Sequence, residues 1–336
     1  MIFEKEQLGN VIKKIREKQP IVFHITNTVT INDCANITLA IGASPLMSFC
    51  EDELEDILSF ASALVLNIGT MDKQMREMAV KAGQTANRLG KPVVLDPVGV
   101  GATRARKELV EKLLTNVHFA VVKGNMAEIK SIYGIENSAN RGVDSVEDLE
   151  NGVEIAKALA KRYDTVIAVT GKQDIISDGE RVAKVNNGTA ILGKVTGTGC
   201  MTASLVGSAC GAERDYFIAA AAGVAMMGIA GEKAEEHYSV GNGNGTLRTE
   251  ILDNICNMTG DRFMEIAKSG KINVMCEANA LMTLKEFLLD YADENLRKLG
   301  DEAILKTLEA MPNEEFKEKI KGYLKQIENG VRDLRV

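Results

Sequence analysis

A doubly wound α/β fold with a mostly parallel sheet is the architecture that three features of the 336-residue chain predict. Short apolar runs of strand character alternate with helical patterns over most of its length. The loops joining them are short. Polar and glycine residues collect just after successive strands, where open α/β sheets bind their ligands.

In chain order, Leu8, Val11, Ile12 and Ile15 recur at helical spacing within residues 4–18, and Pro20 stops that helix. Ile21-Val22-Phe23-His24-Ile25 reads as a buried strand, followed by a polar segment at 26–30 and a helix through 36–41. A turn at 42–48 enters a short strand, and residues 51–60 form an acidic-fronted helix. Ala63-Leu64-Val65-Leu66-Asn67 is the next strand, closing on Ile68-Gly69-Thr70. The helix over 71–89 has Gly90 past its end, a common stop. Pro92-Val93-Val94-Leu95-Asp96 is a strand ending in an acid, and a glycine loop at 97–102 leads to a helix over 103–114. A strand over 118–122 runs into Lys123-Gly124-Asn125. A helix over 145–162 and a strand over 165–169 follow, ending at Thr170-Gly171. Residues 173–185 alternate around Asp178-Gly179, the pattern of a β-hairpin. Residues 216–234 make a nearly uncharged Ala/Gly/Met helix, apolar all round and therefore buried. From 265 onward the charge is mixed, with Leu281, Leu284, Phe287, Leu288 and Tyr291 at helical spacing and a break at Met311-Pro312-Asn313. The expected organisation is an α/β domain over 1–265 and a charged, amphipathic helical extension over 266–336.

Composition excludes several classes. A net charge of −7 gives no general attraction for nucleic acid or anionic membrane. Trp is absent and aromatics are 4%, so base stacking is poorly served. No apolar run of ~20 residues stands out as a membrane span, and the charged start lacks the layout of a secretory signal. The six cysteines are scattered without a C-x-x-C pair, which argues against a zinc site or disulfide framework and for a reduced, cytoplasmic protein.

The chemistry is expected at Val195-Thr196-Gly197-Thr198-Gly199-Cys200, which opens an Ala/Ser/Leu/Val/Gly helix. Gly197 and Gly199 permit positive φ and close approach of backbone to a ligand. Amides at a loop-to-helix junction lack internal partners and carry partial positive charge, a cradle for phosphate. Cys200 lies on the first turn, where a thiol pKa is lowered. Taken alone, the same residues also suit a glycine turn before a buried helix, with Cys200 as packing.

Six ordered blocks resemble the hydroxyethylthiazole kinases. They are His24-Ile25-Thr26-Asn27, Gly42-Ala43-Ser44-Pro45-Leu46-Met47, Asn67-Ile68-Gly69-Thr70, Asp96-Pro97-Val98-Gly99-Val100-Gly101-Ala102, Gly124-Asn125 with Glu128, and Gly197-Thr198-Gly199-Cys200. Residues 241–253 fit as well, so the resemblance covers roughly 8–265. It implies a ribokinase-like fold, ATP- and Mg²⁺-dependent phosphorylation of the side-chain hydroxyl of 4-methyl-5-(2-hydroxyethyl)thiazole in thiamine salvage, and a homotrimer. Position by position, it implies that Met47, Asn27 and Gly197 line the thiazole and that Lys123 and Thr170 contact ATP. Asp96 and Glu128 would hold Mg²⁺, while Cys200 faces the substrate hydroxyl with the Gly197, Thr198 and Gly199 cradle beside it. Lys123 stands where an arginine is usual, keeping charge but not the planar fork. The usual Gly-Pro-Gly is Gly243-Asn244-Gly245, and the extension after 265 is not a usual family feature. The alternatives are another ribokinase-fold kinase, such as one for hydroxymethylpyrimidine, and a non-catalytic regulator that binds thiazole or nucleotide.

Overall fold

The computed structural model describes residues 5–134, 146–239, 241–268 and 274–277. Everything below concerns the unit Met1–Ala278; the amphipathic positions and the break expected beyond it lie outside the described residues.

Among the described residues, nine strands form one sheet in the order β2-β1-β3-β4-β5-β6-β7-β8-β9. They are β1 (Ile21–Ile25), β2 (Ser44–Met47), β3 (Ala63–Asn67), β4 (Val93–Asp96), β5 (Val121–Asn125), β6 (Val166–Thr170), β7 (Asp174–Ser177), β8 (Val182–Val185) and β9 (Val274–Glu277). Strands β2 to β6 along that order run parallel, and β7, β8 and β9 add to the edge antiparallel. Side chains alternate between the faces, as the pleat demands. Val22, Val65, Val94 and Val121 point into one apolar layer, and Phe23, Leu64, Leu66 and Leu95 into the other.

The first layer is closed by α1 (Lys5–Lys18), α2 (Ile31–Ile41), α8 (Thr198–Ala212), α9 (Tyr216–Glu236), α10 (Asn244–Cys256) and α11 (Gly260–Lys268). The second is closed by α3 (Leu54–Phe60), α4 (Lys73–Arg88), α5 (Arg104–Asn116), α6 (Met126–Tyr133) and α7 (Val146–Tyr163). Small residues let α8 and α9 lie close together and against the sheet. A Cβ on Gly223 of α9 would come within 2.8 Å of the Val206 backbone in α8, and one on Gly207 within 2.4 Å of Val65.

Four details depart from the sequence reading. The strand expected over 118–122 is β5, three residues later. Asn87 explains the offset: its side chain accepts from the His118 amide at 2.7 Å and donates to the His118 carbonyl at 2.8 Å, holding that residue off the ladder. Helix α6 follows at once, started by a reciprocal capping box between Asn125 and Glu128. Helix α11 runs past residue 265, and β9 beyond it pairs with β8. Finally, α9 is long and apolar enough to cross a membrane, contrary to the expectation that no such run exists; 83% of its most apolar window is buried inside the fold, as a core helix requires.

Candidate active site

The parallel strands all deliver their carboxyl ends to one edge of the sheet, and there the buried polar residues converge. Asn67 ends β3, Asp96 ends β4, and the two are register partners on adjacent strands. Lys123 lies in β5, Asn27 just beyond β1, and Cys200 on the first turn of α8. Asn27, Asn67, Asp96 and Lys123 are each under 5% exposed, so every polar atom needs a partner.

The partners form one connected network. Asn27 Oδ1 accepts from the Val29 and Thr30 amides at 3.1 and 3.0 Å, which fixes its side chain to the loop backbone. Asn27 Nδ2 then donates to Asn67 Oδ1 at 3.0 Å and to Cys200 Sγ at 3.4 Å. Asn67 Nδ2 donates to Asp96 Oδ2 at 2.9 Å and to the same sulfur at 3.2 Å. Lys123 Nζ donates to the Gly199 carbonyl at 3.1 Å and lies 3.8 Å from Asp96 Oδ1. The helix start expected to carry the chemistry and the strand-end acid are therefore held together by the side chains between them.

Gly197 is the N-cap of α8 at φ +86°, and an added Cβ would meet Thr30 Cγ2 at 2.4 Å. Only glycine satisfies both the left-handed backbone and that approach. Gly199, for which positive φ was expected, is an ordinary helical residue of α8; its use is closeness, since a Cβ there would stand 3.4 Å from Lys123 Nζ. Thr70 ties two loops by accepting the Thr28 amide at 3.0 Å, and it holds φ +55°, unusual for a β-branched residue.

Burial governs the protonation of the cluster. It pushes the Asp96 carboxyl up to about 6; Lys123 opposes the shift and the Glu128 charge adds to it. The Cys200 thiol is also raised, by burial first and then by the Asp96 charge. That overturns the expectation of a lowered thiol pKa: the helix start is there, but the sulfur is largely enclosed beside a carboxylate. His24 is pushed down to about 4 by burial and bonds the Val22 carbonyl and Ser204 Oγ, so it is neutral packing for α8.

Glu128 reaches the same edge from α6. Its carboxylate accepts from the Gly99 amide and the Asn125 amide, each at 2.8 Å, so it joins the β4 and β5 loops. With Asp96 it makes a pair of like charges, a donor set of the hard-oxygen kind that suits Mg²⁺. Thr170 ends β6 and donates to the Gly124 carbonyl at 3.4 Å. Met47 ends the edge strand β2 opposite His24, half-buried at the same end of the sheet.

A cleft of about 740 Å³ opens beside this cluster. Thr170, Gly171, Thr198 and Gly199 line it, together with Leu192, Val224, Met227 and Gly228. The lining thus combines backbone amides and hydroxyls with apolar side chains, which suits a molecule with a phosphate chain and a flat ring. Sequence reading missed Asn67 as a site residue, the apolar lining of the cleft, and Asp174. The last is buried at the start of β7, accepts the Gly171 amide at 2.9 Å and is pushed up to about 7 by burial. Asn67 had a visible signal, because it ends its strand at the position where Asp96 ends the next.

The residue pattern of the hydroxyethylthiazole kinase family matches residues 12–261. The chain is 48% identical over 270 residues to the hydroxyethylthiazole kinase of Alkaliphilus oremlandii, covering 80% of this chain and 98% of that protein. It is 49% identical over 249 residues to that of Thermoanaerobacter pseudethanolicus, covering 74% and 94%. Among solved structures, the hydroxyethylthiazole kinase of Pyrococcus horikoshii superposes with a TM-score of 0.71 at 36% identity, over 80% of this chain and 98% of that one. A Staphylococcus aureus pyridoxal kinase, solved with AMP-PCP and pyridoxal, shares the fold alone, at TM-score 0.51 and 13% identity over 76% and 97%. The family model and these relatives cover the strands, the helix start and the loops that assemble the cluster, and the chain belongs to the hydroxyethylthiazole kinase family.

Proposed function

We propose that this chain transfers the terminal phosphoryl group of ATP to the side-chain hydroxyl of 4-methyl-5-(2-hydroxyethyl)thiazole, in thiamine salvage. The observation that carries the reading is the single network joining the α8 start, Cys200, Asn67, Asp96 and Lys123, with Thr198 and Gly199 of that helix start also lining a cleft of nucleotide size.

Phosphoryl transfer runs through a loose transition state, so positioning and charge stabilisation dominate. The substrate oxygen bonds to phosphorus as the bond to the leaving ADP breaks, and the hydroxyl proton is lost late, to the transferred phosphoryl oxygens or to solvent. The first-turn amides of α8, from Thr198 to Cys200, would face the equatorial oxygens, and the buried Lys123 ammonium would supply a compact positive charge close by. Thr170 would contact ATP from the floor of the cleft. Cys200 would orient the hydroxyl; with its thiol pKa raised, it is a weak proton acceptor at neutral pH. Met47 and Asn27, at the carboxyl ends of the outer strands, would line the thiazole with Gly197, a thioether packing well on a flat ring.

Asp96 and Glu128 would hold Mg²⁺ through carboxylate lone pairs or water, and the ion, when bound, would neutralise phosphate charge. Burial of Asp96 beside a second carboxylate fits such a cation, since burial and the Glu128 charge both raise the cost of ionising Asp96. The reading extends to a homotrimer and a cytoplasmic location. Support for assembly comes from Val29, Leu39 and Phe49, all exposed on the β1–α2–β2 edge at 64, 58 and 40%; sedimentation of the purified chain tests it.

Mixing the protein with ATP, Mg²⁺ and the thiazole should release ADP and yield a thiazole monophosphate by mass spectrometry. Release of ADP only with hydroxymethylpyrimidine would move the substrate assignment. Thiazole binding by calorimetry with no ADP would instead indicate a regulator.

A further inference from the structure

Asn67 belongs to the network above but has no role of its own in it, although its side chain makes four hydrogen bonds at the sheet edge. It is 1% exposed, and all four of its hydrogen-bonding positions are taken. Nδ2 gives one N–H to Asp96 Oδ2 and one to Cys200 Sγ, at 2.9 and 3.2 Å. Oδ1 accepts from Gly69 N and from Asn27 Nδ2, each at 3.0 Å. A flipped amide would set oxygen against the Asp96 carboxylate and N–H against the Gly69 amide, so one orientation is imposed.

That orientation is anchored in backbone. The loop amides of Val29 and Thr30 fix Asn27, Asn27 fixes the Asn67 oxygen, and the far side of Asn67 reaches Cys200 and Asp96 together. The Cys200 sulfur receives N–H groups from both amides, which sets where it sits relative to the carboxylate. Cys200 and Asp96 come from elements more than a hundred residues apart, α8 and β4, and Asn67 Nδ2 contacts both.

We propose that Asn67 is a positioning residue for phosphoryl transfer, holding the Cys200 sulfur and the Asp96 carboxylate in one fixed relation. The inference rests on the kinase reading and adds a prediction that reading does not make. Loss of the Asn67 amide misplaces two groups that act on the reacting hydroxyl and phosphate, while Asn27, the pocket wall bonded to it, keeps its anchors on the Val29 and Thr30 amides. The cost then falls on turnover and spares apparent affinity.

The test compares wild type with Asn67→Leu, of similar volume, and Asn67→Ser, smaller and polar. With ATP and the thiazole, kcat should drop about 10²-fold while KM for the thiazole stays within about threefold. In a Cys200→Ala background the same substitution should cost less than in wild type, because one of the two groups it positions is already gone and the Asp96 contact alone remains. Crystal structures of the variants should show the Cys200 side chain turned from its present rotamer. An unchanged kcat in folded Asn67→Leu and Asn67→Ser overturns the proposal. So does an equal loss with and without Cys200, or a loss confined to KM. Should wild type itself not phosphorylate the thiazole, the substrate reading fails separately. The Cys200 rotamer in the variant crystals then decides the positioning: a sulfur left in place overturns it.

Discussion

Helix α8 puts two uses of small residues side by side. Its first turn bares backbone at the sheet edge: Gly197 takes a left-handed φ under Thr30, and Gly199 leaves room for the Lys123 ammonium. Its remaining turns use the same composition for packing, with Gly207 against Val65 and Val206 under Gly223 of α9. The first turn should matter to reaction and the rest to stability. Substitutions on either side separate the two.

The largest effect is expected at the edge. Asp96→Asn should lower kcat roughly 10³-fold, several kcal/mol of transition-state stabilisation, while the variant stays folded. The stability of Asp96→Asn should equal or exceed wild type at pH 8, because a buried charge is removed. Steady-state kinetics beside differential scanning calorimetry checks both halves. Turnover within tenfold of wild type would remove Asp96 from the reaction.

The packing side should show the reverse. Gly223→Ala pushes a methyl into Val206 backbone, which has no soft atom to move, and should cost about 3 kcal/mol in urea unfolding. The molecules that remain folded should keep their kcat. Gly197→Ala sharpens the contrast, since it forces a side chain into left-handed backbone and against Thr30 beside the cleft. It should lose both stability and turnover. Equal kinetic losses in both variants would mean that α8 acts as one unit.

How far this division was legible in sequence follows its physics. Short continuous apolar runs marked nearly every strand, because a parallel sheet covered by helices is buried on both faces. The acid of the site was legible because it ends a strand, at Asp96, and the glycine because it opens a helix, at Gly197. Three things needed coordinates. The offset of β5 comes from Asn87, thirty-odd residues earlier in the chain, bonding both backbone groups of His118. The direction of the Cys200 shift depends on enclosure and on Asp96, and position on a helix reports neither. The linking role of Asn67 depends on β3 and β4 being neighbours in register.

A smaller effect should appear at Asp174, where the cleft meets the packed hairpin. Burial holds its carboxyl near 7, above the ordinary 3.8, so the folded chain binds more protons than the unfolded one between about pH 4 and 7. Stability attributable to this group therefore falls as pH rises through that window. Asp174→Asn keeps an acceptor for the Gly171 amide and removes the titration. Its stability relative to wild type should rise by roughly 2–4 kcal/mol from pH 4 to pH 7.5. Parallel stability curves for the two proteins would place the Asp174 carboxylate in solvent.

The smallest effect is expected at Cys200→Ser. A serine hydroxyl can accept the same Asn27 and Asn67 N–H groups and present a similar face to substrate. A thiol raised by burial and by Asp96 is mostly protonated at pH 7, so it contributes little as a base there. If sulfur were the required proton acceptor, kcat/KM would climb about tenfold per pH unit below the thiol pKa, and the serine variant would lose that climb. If Cys200 only orients the hydroxyl, the thiol imposes no such climb on the wild-type profile from pH 7 to 9, and Cys200→Ser keeps turnover within about tenfold. Cys200→Asp is the harsher substitution, since it sets a second carboxylate against Asp96 across the Asn67 amide. It should fall below Cys200→Ser, because like charges at that spacing raise each other's cost in a buried site. The order of the two variants, with the slope of the wild-type profile, separates positioning from proton transfer at this residue.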